Sequence, residues 1–133
     1  MKKIWIALVA ALLIASGVWW YAKQQTAEAR FQKIVDRFAS RSIFPQIKDS
    51  FQSNLIALEA NPKDTQALMG MGTNFYVLQE YTEALSYYQH VQQLEPDNFL
   101  AYYNAGRAHL NLKQYEIARE QYFAALRRNP DDV

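Results

Sequence analysis

Three prolines set the frame of this chain: Pro62, Pro96 and Pro130 stand 34 residues apart. A fixed period of that length means one supersecondary unit used repeatedly, each copy burying its apolar face only against its neighbours. Asp64, Asn98 and Asp132 share one register of the period. Leu68, Met71, Gly72, Phe75, Tyr81, Ala84 and Tyr88 map at the same offset onto Tyr102, Ala105, Gly106, His109, Tyr115, Ala118 and Tyr122. Gly72, Tyr81, Ala84 and Tyr88 recur unchanged, and Phe75 is replaced by another ring, His109.

The spacing inside each unit predicts a helical hairpin. Leu68, Met71, Gly72 and Phe75 fall at i, i+3, i+4 and i+7, one stripe of a helix. Asp64 and Asn98 are positioned to cap helices beginning at Thr65 and Phe99, and Leu78 and Leu112 close those helices. Tyr81 and Tyr115 fall in the short turn that follows. Ala84, Tyr88 and Val91 form the stripe of a second helix, and Pro96 and Pro130 end the second helices because proline has no N–H for the ladder. Gly72 with Ala84, and Gly106 with Ala118, are read as small residues that let the paired helices approach where they cross.

Upstream, Ala27, Phe31, Ile34, Val35 and Phe38 make an apolar stripe. Ile47, Phe51, Leu55 and Leu58 make another after a break near Pro45. The pair ends at Pro62, in phase with the period, but lacks its small residues. It reads as a degenerate repeat capping the amino-terminal side of the stack.

Before it, Ile4 to Ala22 is a run of nineteen uncharged residues. As a helix at about 1.5 Å per residue it spans roughly 28 Å, close to a bilayer's hydrocarbon core. Trp19, Trp20 and Tyr21 followed by Lys23 suit the interface where a spanning helix leaves the membrane. A cleaved signal peptide is the rival, with Ala15, Ser16 and Gly17 as small residues at a cleavage site. Bulky Val18 and Trp19 continue the apolar run past them, which favours an uncleaved anchor. Lys2 and Lys3 orient the short amino-terminal tail to the cytoplasm and send the remainder across. In a bacterium this gives a single-pass inner-membrane protein with a periplasmic domain. Six basic residues (Lys23, Arg30, Lys33, Arg37, Arg41 and Lys48) lie in 23–48 against two acids. Near an anionic bilayer each contributes about 1 kcal/mol; a solvated helix face is the equal alternative.

The two later units resemble the tetratricopeptide repeat, whose pattern is W-x2-L-G-x2-Y … A-x3-F … P. Leu68 and Tyr102 stand where tryptophan is typical, and His109 stands at the second aromatic position. The resemblance implies an α-solenoid of antiparallel helix hairpins, and with the apolar run before it the chain reads as all-α, an amino-terminal transmembrane helix followed by that solenoid. The divisions are 1–22 for the signal-anchor, 23–64 for the juxtamembrane pair, 65–98 for the first full repeat and 99–132 for the second. It also implies a groove, lined by the first helix of each hairpin, that takes a protein or peptide segment. In this chain the candidates are Gln66, Met69, Thr73, Tyr76 and Val77, with Leu100, Tyr103, Arg107, Leu110 and Asn111. Met69, Tyr76, Tyr103 and Leu110 suit an apolar or aromatic segment, and Arg107 suits a carboxylate. One subclass clamps chaperone carboxylates with Lys and Asn; here Met69 and Thr73 replace them and only Asn104 agrees, so that role is disfavoured. Bacterial relatives of this architecture serve in pilus assembly, cytochrome maturation and translocon-associated or chaperone-like work.

Charge and composition narrow the function further. The first sixty residues carry eight basic and four acidic side chains, net +4; the rest carry six and nine, net −3. Neither half offers the concentrated positive surface that nucleic acid requires. The chain has no cysteine and two histidines, so thiolate chemistry is excluded and a histidine-rich metal site is not expected. His109 falls on a core stripe and His90 on an outward face. Gly70-Met71-Gly72 belongs to the repeat rather than to a phosphate loop. Asp97, Asp131 and Asp132 read as loop and capping residues, and Glu80 and Glu83 as a solvated face. No catalytic, cofactor or metal site is expected, and the chain reads as an adaptor rather than an enzyme. Its rivals are a secreted or periplasmic protein after signal cleavage, and the docking portion of a longer, enzymatic polypeptide. Tyr122 and Leu126 have no following helix to lie beneath, so that end is expected to self-associate, to meet a partner, or to continue in a longer chain.

Overall fold

The computed structural model describes residues 28–129. The apolar run 4–22 lies outside them, and among the described residues no helix is long and apolar enough to cross a membrane. Among the described residues six helices follow one another without a strand: α1 (28–38), α2 (Phe44–Ala60), α3 (Thr65–Val77), α4 (Tyr81–Leu94), α5 (Phe99–Asn111) and α6 (Tyr115–Arg128). The 34-residue period is visible in the backbone itself, since α2, α4 and α6 end in one register and α3 and α5 begin in one register.

Local chemistry sets these ends. Asp64 Oδ1 accepts from the Ala67 N–H at 3.0 Å and Asn98 Oδ1 from the Ala101 N–H at 3.2 Å. A cap of this kind stabilises a helix by about 1 kcal/mol. At the other end of α3, the Glu80 N–H donates to the Phe75 carbonyl and the Gln79 N–H to that of Tyr76, both at 2.9 Å. Gln114 and Lys113 repeat the pattern on α5. This closure needs a left-handed residue, supplied by Gln79 at φ 62° and Lys113 at φ 61°. The turn is so tight that Tyr81 and Tyr115 are the first residues of α4 and α6 rather than turn residues, as the spacing had placed them. Pro45 likewise sits in the first turn of α2, where its missing N–H is harmless. The break lies before it.

The small residues work differently from the pairing expected of them. An added Cβ on Gly72 would lie 2.5 Å from Tyr88 Cε1, and one on Gly106 would lie 2.9 Å from Tyr122 Cδ1. Each glycine is therefore a notch for a tyrosine ring of the second helix. In the first pair the register is reversed: Phe38 occupies the glycine position and Asn54 the tyrosine position. With a ring where the notch belongs, α1 is held by aromatic packing and ion pairs instead. Phe38 meets Phe44 and Phe75 at 6.4 and 6.3 Å between centroids. Phe75 goes on to Phe51 at 5.1 Å and Tyr87 at 5.6 Å. Glu80 pairs with both Arg37 and Arg41 at 2.8 Å, Glu83 pairs with Arg37 at 3.0 Å, and Arg41 also donates to the Leu78 carbonyl. The core runs continuously from Phe31 and Phe38 to Ala105 and Ala108, with Leu68, Val91 and Ala101 as a satellite. Buried Asn74 is satisfied by Ser50 of α2, to which its Nδ2 donates at 3.0 Å.

Candidate binding groove

The ten candidate groove residues come from α3 and α5, and none of them is buried. Four form one cluster. Tyr76 is its hub: its hydroxyl accepts from Asn111 Nδ2 at 2.9 Å, and the Arg107 guanidinium lies 4.6 Å from its ring centroid. Tyr81 packs edge-on against the same ring at 5.3 Å. Tyr103 continues the surface through Tyr122, with centroids 5.7 Å apart. Arg107 and Asn111 are one helical turn apart on α5 and therefore share a face. They reach across to α3 because the repeat places the two helices side by side.

The charge of this cluster is unbalanced. None of the ten residues is acidic, and Arg107 pairs with no carboxylate among the described residues. A guanidinium beside an aromatic ring still has N–H donors to offer a carboxylate. Burial pushes the Tyr122 hydroxyl above its ordinary pKa, with Tyr103 and Tyr76 adding to the rise and Arg107 opposing it. Tyr88 is raised chiefly by burial and is opposed by a hydrogen bond with Thr73 and by Arg107. Both hydroxyls thus stay neutral and act as hydrogen-bonding groups.

Other candidates are placed elsewhere. Met69 is half-buried and packs against both core clusters, so its role is shared with the fold. Leu110 faces the end of the stack, where it lines a cleft with Tyr115, Phe123 and Leu126. Thr73 donates to the Met69 carbonyl at 2.9 Å. Gln66, Val77 and Leu100 lie on the surface without joining the tyrosine cluster. Tyr122, read from sequence as lying at the uncovered end of the stack, borders the groove beside Tyr103, and Tyr88, read as a helix-stripe residue, is buried. Their signal was the glycine in each repeat, since a glycine notch has a ring opposite it. His109 is buried, and its Nδ1 lies 2.6 Å from Gln114 Oε1, a packing role that leaves no free ligand nitrogen on that side.

Helical hairpins stacked in one register define a repeat protein, and stacks of this class present extended concave surfaces to other proteins. Residues 69–133 match the family model described as tetratricopeptide repeat. The match begins within α3 and takes in α4, α5 and α6, just under half of the chain, so these hairpins are similar to tetratricopeptide repeats, a protein-interaction fold.

Proposed function

We propose that this chain is a membrane-anchored adaptor that holds a segment of a partner protein in the groove of its repeats and does no chemistry itself. The observation that carries the reading is the Tyr76, Tyr103, Arg107 and Asn111 cluster. It offers two half-exposed tyrosine rings, one cation without a carboxylate partner and no acid, and so suits an extended or helical segment bearing aromatic or apolar side chains beside a carboxylate. Uncharged residues 4–22, flanked by Lys2, Lys3 and Lys23, support anchorage, with the repeats on the far side of a bacterial inner membrane and a role in assembling an envelope complex.

Photo-crosslinking in cells tests both parts. A photoreactive residue at position 103 should trap one dominant protein, and Arg107→Glu should abolish the adduct while leaving helicity unchanged. The compartment of the trapped protein reports the topology. Identical adducts from exposed position 90, on α4, or no adduct from 103, would refute the groove.

A further inference from the structure

Arg30, Lys33 and Arg37 stand at i, i+3 and i+7 on α1 and share one flank of it. That flank faces α4, where Arg37 meets Glu80 and Glu83. One turn further along α4 the acid gives way to Tyr87, and Arg30 and Lys33 pair with no carboxylate among the described residues. These two cations and the phenol stand instead around a cavity of about 540 Å³ bounded by α1, α2, α3 and α4, within the roughly 300–1,000 Å³ of small-ligand clefts. Its floor is apolar: Leu55 and Leu58 of α2 with Leu68 and Met71 of α3. Tyr87 is half-buried with its ring stacked on Phe75, and its hydroxyl forms no hydrogen bond among the described residues. We propose that this cavity binds a single-chain carboxylate of the fatty-acid class, its chain on the aliphatic floor and its headgroup between Arg30, Lys33 and the Tyr87 hydroxyl.

Each part of such a ligand answers one part of the site. An alkyl chain leaving water gains about fourfold in affinity for every methylene it buries. A carboxylate takes charge-assisted hydrogen bonds from both cations. Burial holds the Tyr87 hydroxyl protonated above its ordinary pKa, against the opposing charge of Arg30. The phenol is therefore a donor, and a headgroup that only accepts completes it. An amine would meet two like charges. A bilayer phospholipid fits less well, because a chain already in hydrocarbon gains nothing by moving onto another apolar surface. The cavity is also separate from the tyrosine groove, since none of Tyr76, Tyr103, Arg107 and Asn111 lines it.

The full chain in phosphatidylcholine nanodiscs, irradiated with a decanoate that carries a mid-chain diazirine, tests this. Peptide mapping should place the adduct within 55–71. Unlabelled decanoate should compete several-fold better than octanoate, which is shorter by two methylenes, and several-fold better than decanol, which lacks the charge. Arg30→Gln combined with Lys33→Gln should lower labelling several-fold. Leu58→Trp and Ile34→Trp fill the cavity from two different helices while leaving both cations, and each should abolish labelling. Lys48→Gln, which removes a basic residue that does not line the cavity, should change nothing. Adducts confined to 4–22, undiminished labelling in either tryptophan variant with helicity intact, or equal competition by decanol would each overturn the proposal. So would displacement by phosphatidylglycerol added to the nanodiscs, which would make the occupant a bilayer lipid.

Discussion

Replacing Gly72 and Gly106 by alanine, one at a time, separates packing from helix propensity. Both positions are helical, and alanine improves on glycine in a helix interior by about 1 kcal/mol. Against that gain stands the notch. At Gly72 the new methyl would meet Tyr88 Cε1 at 2.5 Å and Cδ1 at 2.8 Å. Tyr88 is 1% exposed, so its ring has nowhere to retreat, and overpacking of this kind costs about 1–3 kcal/mol. Gly72→Ala should therefore destabilise by roughly 1 kcal/mol net, after the propensity gain is offset. At Gly106 the contacts are to Tyr122 at 2.9 Å, and that ring borders the open cleft at the end of the stack. It can move aside, so Gly106→Ala should be neutral or slightly stabilising. Urea unfolding followed by far-ultraviolet circular dichroism reads the difference. With a slope of about 1–3 kcal/mol per molar, Gly72→Ala should lower the midpoint by roughly half a molar. A second variant isolates the cause: in a Tyr88→Ala background, Gly72→Ala should stabilise, because the ring it strikes is gone. Equal effects at the two glycines, or no coupling to Tyr88, would refute the notch argument.

Two further outcomes follow from the structure. Glu80→Gln removes the carboxylate shared by Arg37 and Arg41, a loss on the order of 1 kcal/mol for a surface network; amide hydrogen exchange should quicken in α1 while α5 and α6 stay as they were, and unchanged exchange in α1 would show that aromatic packing alone holds it. Burial keeps the Tyr88 hydroxyl above its ordinary pKa of 10.0, so the folded chain holds this proton more tightly than the unfolded one. That stabilisation is complete below pH 10.0 and is lost as pH rises through the raised value. Tyr88→Phe should push alkaline unfolding, followed by circular dichroism, to higher pH.

The groove and the fold were legible in the sequence to different depths. The period exposed the hairpins because every repeat-internal contact recurs at one offset, and capping residues such as Asp64 and Asn98 act within a few residues of themselves. The groove candidates were found as a face but not as a site. The spacing could not say that Arg107 lies over Tyr76, that Leu110 turns to the stack end, or that Met69 is half committed to the core.

What the sequence determined by itself was therefore whatever rests on short-range rules: helix stripes, caps, the proline stops and the glycine in each unit. The tertiary structure decided what the glycines are for, since the ring that fills each notch lies sixteen positions away on the other helix. It also decided how α1 is held, because Phe38 sits where a notch belongs and its neighbours Arg37 and Arg41 reach Glu80 only once the chain has folded back past two helices. Side chains that meet across helices are chosen by packing, which no local pattern encodes.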